Sequence, residues 1–283
     1  MNKKFLFVTP LTPKAFLTPL RKSLFEQFIE SLKKQTYSNW EALLLGEESR
    51  IDGKIKYLSL GAESKEIKLI FAREYILNLP EKPDYIIRID DDDIINPNIL
   101  MRVSTLSFDC FADMYHAFYD LTTGKISLQK RSWMANTVIH KYEHAMCELN
   151  EDKMSLIQCD HSKDWIKYYE NKKIIYADRK SPVYLRILSP TTVTSGIYGM
   201  NKSVSEKYTD FKNNIVKLKT KGDIDFTQYN SYLKGFGKWK YMILKDFEVF
   251  QYSLKNIWES FYGESLENKT LIKLKTIWNS FVG

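Results

Sequence analysis

The sequence predicts an α/β fold with a mostly parallel central sheet, followed by a helical C-terminal extension. Two observations carry this. Over the first hundred residues, short apolar runs rich in β-branched residues alternate with segments of helical periodicity, the pattern of strand–helix–strand units. The run Tyr85-Ile86-Ile87-Arg88-Ile89 then drives into four consecutive aspartates, Asp90 to Asp93, and a turn at Asn96-Pro97. That is how a buried strand delivers polar groups to the carboxyl edge of a sheet, where α/β folds bind ligands.

In chain order, Lys4 to Val8 is an apolar strand ending at Thr9-Pro10. Pro13 and Pro19 delay the first helix until Thr18 can cap it, with Pro19 in its first turn. Leu20, Leu24, Phe25, Phe28, Ile29 and Leu32 then recur at helical spacing, and Lys33-Lys34 suit the C-terminal end of the dipole. Trp40 to Leu45 and Lys54 to Leu60 read as the second and third strands, and Glu66 to Leu79 as the second helix. The aspartate-bearing strand follows. Beyond Pro97 the pattern gives a helix over Ile99–Leu106 and a hairpin, Asp113–Leu121 with Lys125–Lys130, around Thr122-Thr123-Gly124. Trp133 to Glu148 reads as a helix, or as a strand followed by a helix. Asp164–Tyr169 is a further helix, and Lys173–Tyr176 and Val183–Leu188 are strands. From about residue 205 the periodicity is helical over Ile215–Leu218, Tyr241–Phe250 and Leu271–Phe281. Two domains are expected, 1–205 and 206–283.

Composition narrows the function classes. The chain has 283 residues, 44% hydrophobic and 27% charged, with ample material for a core. No run reaches the 18 or so apolar residues needed to span a bilayer. The apolar run after Lys3-Lys4 stops after four residues, so it reads as a strand and not as a signal peptide. Three widely spaced cysteines, Cys110, Cys147 and Cys159, indicate neither a disulfide framework nor a cysteine zinc site, and a reducing cytoplasm is the expected home. Residues 201–283 hold 14 lysines against 9 acidic residues and no arginine. Without arginine's planar fork for bases and phosphates, nucleic acid is not the expected partner. Leu271, Leu274, Trp278 and Phe281 beside Lys269, Lys273 and Lys275 suit either an anionic membrane surface or packing on the main domain.

Four adjacent like charges beside a buried strand repel one another. A hard divalent cation, Mn²⁺ or Mg²⁺, resolves the conflict because it takes carboxylate oxygens and leaves positions for phosphate; a solvated acidic turn is the bland alternative. His140 and His144 also stand at a spacing that a helix could use for a metal, but the intervening residues are not those of a zinc protease. They read as two histidines on a solvated helix face.

Several blocks, in order over residues 4–200, resemble the bacterial family 2 glycosyltransferases. Ser31-Leu32-Lys33-Lys34-Gln35-Thr36-Tyr37-Ser38-Asn39-Trp40-Glu41 is similar to that family's S-[LI]-x-x-Q-T-Y signature. Ala72-Arg73-Glu74 stands where the family has A-R-N, and Arg88-Ile89-Asp90-Asp91-Asp92-Asp93 resembles [RF]-[LI]-D-x-D-D. Trp165, Pro182, Tyr184 and Arg186 keep the spacing of the family's last two blocks. The resemblance implies a GT-A fold and a nucleotide-sugar donor (a UDP-, dTDP- or GDP-sugar). It also implies a glycan or lipid-linked acceptor of the kind used in cell-surface polysaccharide synthesis, built at the inner face of the cytoplasmic membrane. Asp90 and Asp92 then fill the D-x-D positions, one near the ribose or metal and the other holding Mn²⁺ or Mg²⁺ on the diphosphate, with Asp91 between them a further implied donor contact beside Asp90, and Asp93 supporting the turn or substrate. Thr9, Pro10 and Glu47 are implied contacts for the base and ribose, and Arg73 for the donor or the carboxylates. An inverting transfer needs a base, for which family spacing gives Asp160, then His161, then Asp164. Two departures stand out. The family's Y-R-x-H histidine is missing from Tyr184-Leu185-Arg186-Ile187-Leu188-Ser189, and Gly46-Glu47-Glu48 replaces a paired aspartate. A nucleotidyltransferase would also place aspartates after a strand, but with a glycine-rich loop that Thr9-Pro10-Leu11-Thr12-Pro13 is not. A non-enzymatic basic binding module would leave the aspartates unexplained.

Overall fold

The computed structural model describes residues 2–188, apart from 18, 121–124, 131, 133, 150–153, 160 and 162, together with Tyr229. The Thr18 cap, the soft boundary near residue 205 and the three C-terminal helical stretches lie outside the described residues.

Strand β1 (Phe5–Pro10) is buried along its whole length and forms the axis of the larger sheet. It pairs in parallel with β2 (Trp40–Gly46) on one side, while β4 (Ile55–Ser59) pairs in parallel with β2 beyond it. β3 (Arg50–Asp52) closes that edge antiparallel to β4, the chain turning back at Gly53 with φ +59°, a conformation that favours glycine. The single third strand expected over Lys54–Leu60 is therefore the second arm of a hairpin. On the other side of β1 lies β5 (Tyr85–Arg88), also parallel. Both neighbours of β1 demand helical crossovers, which are α1 (Pro19–Lys33) and α2 (Lys65–Leu77).

The alternation along β1 explains the layering. Phe5 and Phe7 pack with Phe28 and Leu32 of α1, whereas Leu6 and Val8 pack with Leu69, Ala72 and Ile76 of α2. Successive side chains of a strand point to opposite faces, so one apolar run supplies both layers of core.

Beyond β5 the sheet becomes mixed. β6 (Ile94–Ile95) leaves it, α3 (Ile99–Val103) follows, and β7 (Cys110–Ala112) returns near the outer edge. β8 (Tyr115–Asp120) and β9 (Lys125–Lys130) form the expected antiparallel hairpin. β10 (Ile139–Lys141) inserts antiparallel between β5 and β7 and runs directly into α4 (Tyr142–Ala145). α5 (Asp164–Tyr169) and β11 (Ile174–Tyr176) follow, β11 parallel to β7. The larger sheet is thus ordered β11-β7-β10-β5-β1-β2-β4-β3, with its parallel part confined to β5-β1-β2-β4 and the outer β11–β7 pair. β12 (Tyr184–Leu188) joins a second sheet, β6-β12-β8-β9, and Tyr229 donates to the Pro182 carbonyl just before it at 3.1 Å.

The strand-to-helix change at Lys141 corrects the reading of the two histidines. His140 is on a strand, fully buried, with Nδ1 2.8 Å from the Tyr169 hydroxyl. Burial first, then the nearby Arg88 charge, lowers its pKa to about 3. His144 alone is on α4, where it meets the Tyr168 hydroxyl and Asp109. The two side chains never shared a helical face.

Buried Asp113 ties the sheets together, both carboxylate oxygens accepting from the Val183 N–H at 3.0 Å. Burial raises its pKa to about 7 against the opposing backbone hydrogen bonds. A carboxyl group held above its unfolded value binds more protons when folded, so its contribution to stability falls as pH rises from about 4 towards 7. Asp113→Asn removes that titration while keeping an acceptor. Urea unfolding at pH 5 and pH 8 is expected to show the variant losing less stability than wild type over this interval. Parallel pH dependence in the two proteins would contradict the assignment.

Candidate metal and donor site

β5 stops where its apolar residues end, and the next four residues fold into a turn closed by the Asp93 N–H on the Asp90 carbonyl at 3.3 Å. The turn sorts the aspartates. Asp90, Asp92 and Asp93 each bring a carboxylate oxygen to within 4.8 Å of the others. Asp91 is not one of the three and accepts from the Thr12 N–H (2.7 Å), the Thr12 hydroxyl (3.1 Å) and Arg21 (3.1 Å). β12 lies antiparallel to β6, immediately after the turn, with Tyr184 opposite Ile95. That register carries Arg186 alongside Asp93, whose Oδ1 accepts from the Ile187 N–H at 3.2 Å.

Cations from four elements balance the carboxylates. Lys65, the first residue of α2, donates to Asp90 at 2.7 Å, and Arg21 of α1 bridges Asp91 and Asp92 at 3.1 Å each. Arg186 and the buried Arg88 complete the set. For Asp90, burial opposes ionisation, but Lys65, Arg186 and Arg88 outweigh it and hold the carboxyl below the usual range. For Asp92, burial and the neighbouring Asp91 and Asp90 prevail over Arg21 and raise the pKa. Burial and Asp92 push Asp93 well above its usual value. Three convergent carboxylates with no sulfur or nitrogen ligand fit a hard divalent cation such as Mg²⁺ or Mn²⁺. Asp93 would then be the third protein ligand.

The other sequence-derived residues fall around this point unequally. Thr9 and Pro10 end β1 beside the turn and are buried, and the Thr9 hydroxyl has no hydrogen-bond partner among the described residues. Glu47, just after β2, accepts from the Lys14 N–H at 2.6 Å and so ties the loop after β1 to the end of β2. Arg73 lies eight residues beyond Lys65 on α2, about 12 Å along the helix axis, and is paired with Glu148; the structure does not bring it to the aspartates. Asp160 lies outside the described residues. His161 has Nδ1 2.8 Å from the Met134 carbonyl. A carbonyl only accepts, so Nδ1 carries the hydrogen and Nε2 is the basic nitrogen of the neutral ring. Asp164 opens α5 and is exposed.

Arg88 links the 156–165 segment to the aspartates. Its guanidinium donates twice to Asn136 Oδ1 (3.1 and 2.8 Å) and to the carbonyls of Ile157 (2.6 Å) and Cys159 (3.2 Å), and it lies 4.5 Å from the centre of the Trp165 ring. Asn136 Nδ2 and the Thr137 hydroxyl are buried without hydrogen-bond partners among the described residues, and the antiparallel pairing of β10 with β5 brings these two residues to the edge that holds Asp90.

Arg21, Lys65, Asn136 and the buried Lys68 escaped the sequence reading. Lys68 donates to the Leu11 carbonyl at 2.9 Å, and burial lowers its pKa despite Glu47 and Asp91. One signal was present. Arg21 and Lys65 both sit in the first turn of a helix, where the dipole disfavours cations, so a compensating anion was to be expected near each.

No family model and no curated protein matches the chain. Solved structures similar to it include S. aureus TarS 1-349, at 14% identity over 87% of this chain and 82% of that one, with a TM-score of 0.40. The glycosyltransferase GlyE of Streptococcus pneumoniae TIGR4 is 9% identical over 78% of this chain and 66% of its own, with a TM-score of 0.38. The 4-diphosphocytidyl-2C-methyl-D-erythritol synthase of Anaerococcus prevotii DSM 20548 is 9% identical over 64% and 92%, with a TM-score of 0.39. With every TM-score below 0.5, the chemistry has to be carried by this chain's own residues.

Arg88→Met strips a buried charge from three acceptors and leaves Asn136 without its donor. A loss of about 3 kcal/mol in unfolding free energy is expected from urea titration. A loss below about 1 kcal/mol would mean that the 156–165 segment is held by other contacts.

Proposed function

We propose that the protein is a glycosyltransferase of the GT-A type, moving a sugar from a nucleotide-sugar donor to an acceptor hydroxyl with inversion and with the help of Mn²⁺ or Mg²⁺. The observation that carries this is the convergence of Asp90, Asp92 and Asp93 at the carboxyl end of a parallel strand. All four aspartates have polar partners, but only these three also bring their carboxylate oxygens together, as a shared cation requires. The sequence blocks that resemble the family 2 enzymes support the same reading.

In this proposal Asp90, Asp92 and Asp93 hold the cation, which when bound neutralises charge developing on the departing diphosphate. Thr9, Pro10 and Glu47 line the base and ribose end, and the buried Thr9 hydroxyl would find its partner there. The acceptor oxygen forms its bond to the anomeric carbon as the bond from that carbon to the phosphate oxygen breaks. The electron pair leaves with the nucleoside diphosphate, and the acceptor proton passes to a base. Asp160 is the first candidate by spacing. His161 is supported by its tautomer, because the hydrogen bond from Nδ1 to Met134 leaves the proton-accepting role to Nε2. Arg88 would act as a positioning residue for both, through its bonds to Ile157 and Cys159. Among the described residues no helix is long and apolar enough to cross a membrane. Work at the inner membrane face on a lipid-linked acceptor, with residues 265–283 as the contact, belongs to the proposal on the strength of the sequence alone.

Incubation of the full chain with UDP-, dTDP- and GDP-sugars and Mn²⁺ is expected to release nucleoside diphosphate, with release stopped by a chelator. Asp92→Ala is expected to lower that release by about 100-fold or more, and His161→Ala by a similar factor if His161 is the base. Pyrophosphate as the product would favour nucleotidyl transfer, and full activity in Asp92→Ala would remove the metal role.

A further inference from the structure

We propose that Lys65 competes with the divalent cation for Asp90 and is handed from this carboxylate to the donor's diphosphate when the cation enters. The inference rests on the reading of Asp90, Asp92 and Asp93 as a metal and diphosphate site. It goes beyond that reading by making metal and nucleotide binding interdependent through one side chain.

Two of the three converging carboxylates are already ion-paired, and the two pairs differ in kind. Arg21 donates to the Thr12 hydroxyl at 2.7 Å and to Asp91 and Asp92 at 3.1 Å each, and its side chain is 11% exposed. Moving it would break the contact between α1, the loop after β1 and the turn. Lys65 is 43% exposed, and Asp90 is its one ion-pair partner among the described residues. An ammonium group on a flexible stem re-aims at little cost, whereas a guanidinium locked in a fork does not. Arg21 is therefore a fixed countercharge and Lys65 a movable one.

A cation bound across Asp90 and Asp92 would take an Asp90 oxygen and repel the ammonium group 2.7 Å from it. Without another acceptor, displacing Lys65 opposes metal binding. A diphosphate on the same cation supplies that acceptor. Lys65 begins a 13-residue helix, so the positive end of α2 also faces the arriving anion. The consequence is reciprocal, since whatever metal binding gains from the diphosphate, diphosphate binding gains from the metal.

The test is Mn²⁺ binding to the full-length protein, followed by the electron paramagnetic resonance signal of free Mn²⁺, for wild type, Lys65→Met, Lys65→Arg and Asp90→Asn. With Mn²⁺ alone, Lys65→Met is expected to bind about five-fold more tightly than wild type, Lys65→Arg to stay near wild type, and Asp90→Asn to bind more weakly. Adding UDP, GDP or dTDP is expected to tighten Mn²⁺ binding by a larger factor in wild type than in Lys65→Met. If Asp90→Asn weakens binding but Lys65→Met binds Mn²⁺ no tighter than wild type, or gains equally from every nucleotide, the competition is overturned and the metal site stands. If no protein in the set binds Mn²⁺ saturably, the metal reading fails and takes the competition with it.

Discussion

Four carboxylates in succession at the end of a buried strand have to be neutralised, and much of the surrounding architecture answers that requirement. Two unit charges 4 Å apart interact with about 4 kcal/mol at the effective dielectric of a protein near its surface. Unbalanced, the cluster would cost a large share of a domain's marginal stability. The balancing cations come from α1 (Arg21), α2 (Lys65), β5 itself (Arg88) and β12 (Arg186). Each of these elements is also placed by apolar packing, so the core and the charge cluster specify the same arrangement twice.

Within the cluster the aspartates differ in how far they are committed. Asp91, Arg21 and Thr12 form a closed group of short bonds that holds the loop after β1 against the turn. Arg88 does the same on the opposite side, fastening Asn136 and the carbonyls of Ile157 and Cys159 to β5. Between these two fixed points stand three carboxylates, two of them raised in pKa by burial and by neighbouring aspartates. A site that pushes its own carboxylates towards protonation is unfavourable in isolation and becomes favourable when a cation is supplied.

Legibility in the sequence followed the range of the interactions. β1, β2, β5, α1, α2 and the β8–β9 hairpin were legible because each is announced by its own residues, through apolar runs, helical spacing or a Thr-Thr-Gly turn. β7 was not, because three residues, Cys110 to Ala112, carry no period. The His140–His144 pair misled because spacing has meaning only within one element, and the chain changes from strand to helix between them. Asp93 looked like a turn residue because the sequence offers no way to tell which of four adjacent side chains converge.

By itself, then, the sequence determined that a buried strand ends in carboxylates at the edge of an α/β sheet, with helical crossovers before it. Those features follow from apolar periodicity and local turn chemistry, which act over a few residues. Only the tertiary structure decided that Asp91 is bound to Thr12 and Arg21 while Asp90, Asp92 and Asp93 converge, that Arg73 pairs with Glu148, and that Lys65 holds Asp90. These are pairings between residues 25 to 79 positions apart, or choices between adjacent side chains, and no local pattern encodes which charge will meet which. They were settled by the strand order, which brings α1, α2 and β12 to the end of β5, and by the turn that brings three of the four aspartates together.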